Sequence, residues 1–304
     1  MKKLFTVFVF LFCILNSLSA AKKSTDVTLV SKAFQGDFIT VPFYYKNQNF
    51  DGNVSLYNSN NKVVATAKAF SVSGRKEKKI AVLGVSTFCK PGTYEIKASI
   101  NVGKRTVLEK ASNVEISAVE YISEEIPLDD RNTAIKTDSS KTREQQIEKL
   151  NKILFSANDN APRFLKKFSS PVTSKRRTSF FGDRRVYKYT SGKSSTGAHY
   201  GEDFGVPTGT PIFSCGDGTV VMAESRISTG WTVVVEHSPG VYSLYYHMDS
   251  LGCSVGKKVK TGTQIGLSGA TGLATGPHLH WEVRVNGEAV DPDFFLERGI
   301  GDIR

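Results

Sequence analysis

Short runs rich in apolar residues, each bounded by turn formers, make up most of this chain. Between residues 27 and 121 the short strand-like runs are VTLVSK (27–32), GDFITVPF (36–43), NVSLYN (53–58), KVVATAKAF (62–70), KKIAVLGV (78–85), GTYEIKASI (92–100) and NVEISAVEY (113–121). Turn formers separate them, as at Asn58 to Asn61 and Pro91-Gly92. Seven or so short strands at this spacing predict a small β-sandwich. The stretch holds no histidine and no paired carboxylates. Its expected role is therefore recognition, spacing or regulation rather than catalysis.

Residues 122–140 break the pattern. They are polar, include Pro127 and end on Asp138, Ser139 and Ser140, which predicts a linker carrying helix caps. In KTREQQIEKLNKILFS (141–156) the period changes, and Ile147, Leu150 and Leu154 fall on one helical stripe. An amphipathic helix there is expected to pack on one of the flanking β domains. Glycine-punctuated strands resume at about 161 and run to the end, among them GTVVMA (218–223), GWTVVVEH (230–237) and VYSLYYHM (241–248). The expected division is 1–20, a β domain at 21–121, a linker with its helix at 122–160, and an all-β domain at 161–304.

The first twenty residues belong to neither β domain. Lys2 and Lys3 precede an apolar run from Leu4 to Leu15, and Leu18-Ser19-Ala20 offers small residues for cleavage. This is the layout of a secretory signal peptide, too short for an ordinary membrane span. Export is expected, to the periplasm or cell envelope, with no transmembrane span left after cleavage. The formal charge of +11 loses only the two lysines of that segment and stays basic. A basic exported protein suits an anionic polymer or surface. Nucleic acid is excluded as a partner on compartment and on the lack of any zinc-finger spacing or RNA-binding motif. Cys89, Cys215 and Cys253 would remain, an odd number that permits one disulfide, Cys215–Cys253, or three buried thiols.

The chemistry concentrates in the second β region, where all five histidines lie between 199 and 280. In HLHWEVRV (278–285) side chains two apart share a face, so His278, His280, Glu282 and Arg284 form one row. Leu279, Trp281, Val283 and Val285 form the other, a core row. The polar row suits either solvent exposure or half of a metal site. HYGEDFGVPTGTP (199–211) adds His199 and Asp203, four apart, in a stretch whose Gly201, Gly205 and Pro207 oppose a regular helix. Imidazole nitrogens and a carboxylate oxygen are zinc ligands, and catalytic zinc sites take three protein ligands and leave one position open.

HYGEDF resembles the His-x-x-x-Asp element of the lysostaphin-type (LytM-like) peptidoglycan metallopeptidases, and GPHLHWEV their His-x-His element. TSFFGDRR (178–185), GTPIFSCGDGTVV (209–221), SLYYHMDSL (243–251) and residues 255–283 extend the likeness, which covers about 165–295. The resemblance implies an all-β catalytic domain of antiparallel sheets forming a groove. It also implies one zinc ion per chain, held by His199, Asp203 and His280. His278 and His247 would then be catalytic. Tyr245 would share a face with His247, and Glu282 would support an imidazole. His237 is expected to be structural, and Arg184, Asn286 and Asp291 suit structural roles as well as substrate contacts.

The function so implied is zinc-dependent endopeptidase cleavage of peptidoglycan cross-links, at the bond from D-alanine to a diamino acid, with D,D-carboxypeptidase activity beside it. Its setting would be cell-wall remodelling and cell shape. Peptidoglycan would be the partner, together with other cell-shape or hydrolase-regulating proteins. Loops at 186–198 and 222–230 would wall the groove, and the N-terminal domain with the helix at 141–156 would be placed to cover it. The alternative is a wall-binding or hydrolase-activating regulatory protein with a vestigial site.

Overall fold

Alternating sequence becomes paired strands wherever one face can be buried. The structure is a computed structural model and describes residues 25–46, 50–72, 75–156 and 158–302. The expected signal peptide at 1–20 lies outside the described residues. No helix among the described residues is long and apolar enough to cross a membrane.

The first region holds β1 (Asp26–Val27), β2 (Lys32–Phe34), β3 (Phe38–Tyr44), β4 (Asp51–Tyr57), β5 (Val63–Lys68), β6 (Phe70–Val72), β7 (Arg75–Gly84), β8 (Gly92–Val102) and β9 (Arg105–Ser117). Two sheets, ordered β1-β3-β7-β6 and β2-β9-β8-β4-β5, face each other. Every pairing is antiparallel except β2 with β9. Val41, Phe43, Leu56, Leu83, Ile96 and Ile116 fill the space between the sheets. This is the expected sandwich, with one addition. The outer face of the first sheet is buried too, because Phe38, Phe70, Ile80 and Val82 share a core with Phe168, Val283, Val285 and Phe295. At about 1.5–3 kcal/mol per fully buried large apolar side chain, that contact ties the sandwich firmly to the second region.

The stretch expected as a linker is partly regular. It contains β10 (Ser123–Pro127) and α1 (Asp130–Thr137), ahead of α2 (Lys141–Leu154). Asp129 caps α1 by accepting from the Asn132 amide, and Ser140 caps α2 by accepting from that of Arg143. Leu150 and Leu154 pack into a cluster with Met222, Val234, Tyr242, Leu244 and Tyr246. Ile147, expected on the same stripe, stays 43% exposed. At that turn polar contacts hold the helix, from Arg226 to the Gln146 carbonyl and from the Ile227 amide to the Gln146 side chain.

The second region continues with β11 (Arg177–Ser179), β12 (Arg184–Lys188), β13 (Ser194–Ala198), β14 (Glu202–Phe204), β15 (Pro211–Phe213), β16 (Gly218–Arg226) and β17 (Gly230–Ser238). After them come β18 (Val241–Leu251), β19 (Lys258–Val259), β20 (Gln264–Ser268), β21 (Leu279–Val285), β22 (Glu288–Val290) and α3 (Pro292–Glu297). The main sheet runs β11-β14-β21-β18-β17-β16-β19, with β20 on β18, β15 on β20 and β22 on β21. Its pairings are antiparallel. A small separate sheet is ordered β10-β12-β13, with β10 parallel to β12. The stretch 186–198, expected as a loop, is therefore mostly a hairpin, and 222–226 continues β16.

Candidate metal centre

Three neighbouring strands build the centre. β21 lies between β14 and β18, so that His280 faces Asp203 on one side and Tyr246 on the other. The core row of β21 anchors it, with Leu279, Trp281, Val283 and Val285 fully buried. The polar row therefore points away from that core, as period-two alternation requires. His199 arrives from the turn before β14, where its amide donates to the Asp183 carbonyl and its carbonyl accepts from Gly182. Gly201 makes this crossing possible, because a Cβ there would collide with the Trp281 carbonyl oxygen.

The donor atoms converge. His199 Nε2 lies 3.1 Å and His280 Nδ1 2.8 Å from Asp203 Oδ1, and the two nitrogens are 2.9 Å apart. All three side chains are buried. The outer nitrogens are tied down: His199 Nδ1 to the Phe180 carbonyl at 2.8 Å, and His280 Nε2 to Glu282 Oε1 at 2.9 Å. With N–H groups donating outward, His199 Nε2, His280 Nδ1 and Asp203 Oδ1 become three acceptors facing one another. A cation resolves that arrangement, and an imidazole held by a carboxylate is the usual support of a metal ligand. The residues fit a metal ion, with nitrogen and oxygen donors of the kind zinc takes.

Electrostatics agree. Burial disfavours charge on His280, but Asp203 and Glu282 reverse it and hold the imidazole at about 9. Burial likewise opposes the Asp203 carboxylate, yet His199 and His280 keep it well below the usual range. Burial lowers the His199 imidazole in spite of Asp203, so the positive charge favoured here sits at His280 beside Asp203, and metal binding at such sites displaces protons. Behind Asp203, Arg185 reaches Oδ2 at 3.1 Å. Behind Glu282, Arg284 closes a buried ion pair at 2.6 Å.

Two further histidines border the triad. His278 precedes β21, is bridged to Gly269, and places Nε2 3.7 Å from Asp203 Oδ1 while Nδ1 is tied to the Gly276 carbonyl at 2.8 Å. His247 ties Nδ1 to the Thr271 carbonyl at 2.7 Å, and its ring centroid lies 4.7 Å from that of His278. Burial, then His278 and His280, push His247 down to about 3, so it is neutral near pH 7. Its backbone is left-handed, at φ 58°. This breaks the alternation of β18 at His247, while the register with β21 sets Tyr246 opposite His280 and Tyr245 opposite Trp281. Tyr246 stacks on His280 at 5.2 Å, whereas Tyr245 is buried, with its hydroxyl accepting from the Cys215 amide.

All five of the expected residues, His199, Asp203, His247, His278 and His280, are thus brought together, and Glu282 stands where expected. His237 is elsewhere, fully buried between the Asp217 carbonyl and Ser243. Arg184 binds the Thr87 carbonyl, Asn286 the Val82 carbonyl, and Asp291 caps α3. Cys89, Cys215 and Cys253 are free thiols. Sequence reasoning missed Arg185 and Tyr246. It also missed Ile126 and Leu128, which line a cavity of about 90 Å³ together with Asp203, His247, His278 and His280. Larger clefts of about 680 and 430 Å³ lie against the sandwich and contain no histidine. Chemistry, not size, marks the site.

An all-β domain with a buried His-Asp-His cluster and two flanking histidines defines a metallohydrolase-like centre. Residues 197–292 match peptidase family M23, and the chain carries a domain of that family. Peptidoglycan DD-endopeptidase ShyA of Vibrio cholerae is 42% identical over 122 residues, 40% of this chain and 28% of that protein. DD-carboxypeptidase/endopeptidase Mpg of Neisseria meningitidis is 39% identical over 94 residues, 31% of this chain and 22% of that one. The chain thus spans less than a third of the length of these relatives. A Pseudomonas aeruginosa crystal structure described as a candidate M23 peptidase superposes with a TM-score of 0.58 at 23% identity. That likeness covers 86% of this chain and 94% of the other, and extends the shared fold beyond the peptidase domain.

Proposed function

We propose that this protein is an exported zinc endopeptidase that hydrolyses peptidoglycan cross-links at the bond from D-alanine to a diamino acid, with D,D-carboxypeptidase activity on the same site. Its place would be cell-wall remodelling and cell shape. The observation that carries this is the set of three facing acceptors, His199 Nε2, Asp203 Oδ1 and His280 Nδ1, beside two histidines whose remaining nitrogens are not used to hold the fold. The names of the relatives, DD-endopeptidase and DD-carboxypeptidase/endopeptidase, support the choice of bond. The peptidase unit would be 161–304, with 21–121 as an accessory β domain and 122–160 joining them.

His199, Asp203 and His280 would hold the metal, one ion per chain. Zinc bound there supplies Lewis-acid polarisation of the scissile carbonyl and lowers the pKa of water. His247, neutral and tethered through Nδ1, offers Nε2 to accept or return a proton. His278, the more exposed of the pair, would orient the attacking water or stabilise the developing oxyanion. Glu282 and Tyr246 fix the His280 ring.

Mass spectrometry of muropeptides after incubation with the wild-type protein and with His278→Ala tests the reading. Loss of cross-linked dimers with the wild type alone is the expected result. Intact dimers with the metal-loaded wild type, or equal cleavage by the variant, would overturn it.

A further inference from the structure

The chain changes sheets between its first two strands, and the change leaves two strand edges open on one side of the sandwich. β1 pairs with β3 in one sheet, whereas β2 pairs with β9 in the other. Pairing of β1 stops at Val27 opposite Phe43, with one further bond from the Thr28 amide to the Pro42 carbonyl. Beyond that point β3 is flanked by β7 alone, and β2 is likewise the last strand of its sheet.

Backbone direction alternates along a strand, so parity identifies the open groups. On β3 the Asp37 carbonyl accepts from Val85 and the Tyr45 amide donates to Glu77, so the odd-numbered residues between them face β7. The even-numbered ones face outward, where Pro42 accepts from Thr28 and Phe38 from Arg298. Thr40, between them, turns its amide and carbonyl to the open flank. On β2 the Ser31 carbonyl and the Gln35 amide bond to Glu115 and Ser117 of β9. Lys32 therefore presents its own amide and carbonyl outward in the same way.

Both edges line one cleft of about 430 Å³, within the roughly 300–1,000 Å³ of ligand sites. Leu29, Val30, Phe34 and Ile39 make its wall apolar. The hydroxyl of Thr40, a residue only 8% exposed, also lines the cleft and has no hydrogen-bond partner. A buried hydroxyl left unpaired costs about 1–3 kcal/mol, which a ligand that pairs with it recovers. The other polar groups are engaged. Arg298 lies over the Phe38 and Phe294 rings and is paired with Asp37, while Asp302 accepts from the Gly299 amide. Lys32 is the exception, exposed and with no carboxylate partner among the described residues.

An occupant must supply backbone groups to Thr40, apolar side chains to the wall and negative charge to Lys32. An extended peptide does all three by strand addition. A second copy of this chain suits the cleft poorly, because an edge lysine repels a like edge and the chain carries a formal charge of +11.

We propose that the cleft between the β2 and β3 edges is a docking site for an extended segment of a partner protein, apolar at alternate positions and carrying an acidic side chain for Lys32. Thr40 is its backbone anchor. The cleft shares no residue with the cavity at the metal centre, so the site stands independently of the hydrolase reading.

The probe is a phage-displayed library of random decapeptides, selected on the full chain, with the best sequences synthesised for fluorescence anisotropy. Enriched sequences should alternate apolar and polar residues and include aspartate or glutamate. N-methylation of alternate amides in the best peptide should weaken binding by about tenfold or more, because it removes the donors of an added strand. Lys32→Glu, at an exposed position, should weaken it by about tenfold, exchanging attraction for repulsion. Amide hydrogen exchange should slow at Thr40 and Lys32 on binding. No enrichment, a basic consensus, indifference to N-methylation or to Lys32→Glu, or protection at other residues alone would each overturn the proposal. Deleting residues 303–304 should leave affinity unchanged, and sedimentation should be the same with and without peptide. A gain in affinity on deletion would make the chain's own end the occupant, and a dimer dissociated by the peptide would make it a second copy. Either result overturns the partner reading.

Discussion

Tyr246 lies directly opposite His280 across the β18–β21 ladder, and their rings stack 5.2 Å apart within 2° of parallel. The stack fixes one face of the imidazole whose Nδ1 points at Asp203. Tyr246→Leu should therefore keep the fold yet weaken metal binding, by about the 10–100-fold typical of lost supporting contacts. Tyr246→Phe should not. Competition with a chelator of known affinity measures both.

Glu282 has two duties, accepting from His280 Nε2 and neutralising the half-buried Arg284. Glu282→Gln leaves the half-buried Arg284 without its counter-charge, a loss bounded above by the about 3–5 kcal/mol of a fully buried pair that loses one partner. Urea unfolding of the variant should show that loss, accompanied by weaker metal binding. Unchanged stability would mean that water reaches Arg284.

The two histidines of the His-x-His pair should separate on metal content. His278→Ala is expected to retain one ion per chain and lose about 10²–10⁴ in hydrolysis, the range for a positioned acid–base group. His280→Ala and Asp203→Ala should lose the ion itself. Elemental analysis beside a hydrolysis assay distinguishes them, and a metal-free His278→Ala would reassign that residue.

His237 predicts a pH dependence remote from the metal. Burial drives its pKa down from 6.5 to about 4, so the folded protein holds it neutral where the unfolded chain would be protonated. Its contribution is present above pH 6.5 and is lost as pH falls toward 4, a total of roughly 3 kcal/mol at about 1.4 kcal/mol per pH unit. In urea titrations between these pH values, His237→Gln should flatten the slope by that one-proton share. An unchanged slope would place the titration elsewhere.

Leu154, 3% exposed, locks α2 onto the strand cluster that also holds Tyr246. Leu154→Ala should cost about 2–5 kcal/mol. Ile147→Ala, at an exposed position, should change stability by less than about 0.5 kcal/mol. Thermal unfolding of the pair checks which face of α2 is buried.

Some features were legible because they depend on local periodicity. The period of two in HLHWEVRV separates a core row from a polar row, and caps with a 3.6-residue stripe mark α2. The buried outer face of the first sheet also left a sign: FITVPF is almost continuously apolar, as in strands covered on both sides. The strand β10 left none. Ile126 is its one purely apolar side chain before Pro127, too little to show a period, and its partner on β12 lies about sixty residues away, so only long-range pairing makes it a strand.

By itself, then, the sequence determined which residues can carry the chemistry and which faces of their strands they share, because side-chain alternation is a property of the local backbone. Tertiary structure decided the rest. It brought His199 and Asp203 against His280 across separate strands, and through the β18–β21 register it set Tyr246 rather than Tyr245 opposite His280. It also laid an acidic strand over the centre. Each of these depends on register between distant segments, which local periodicity does not encode.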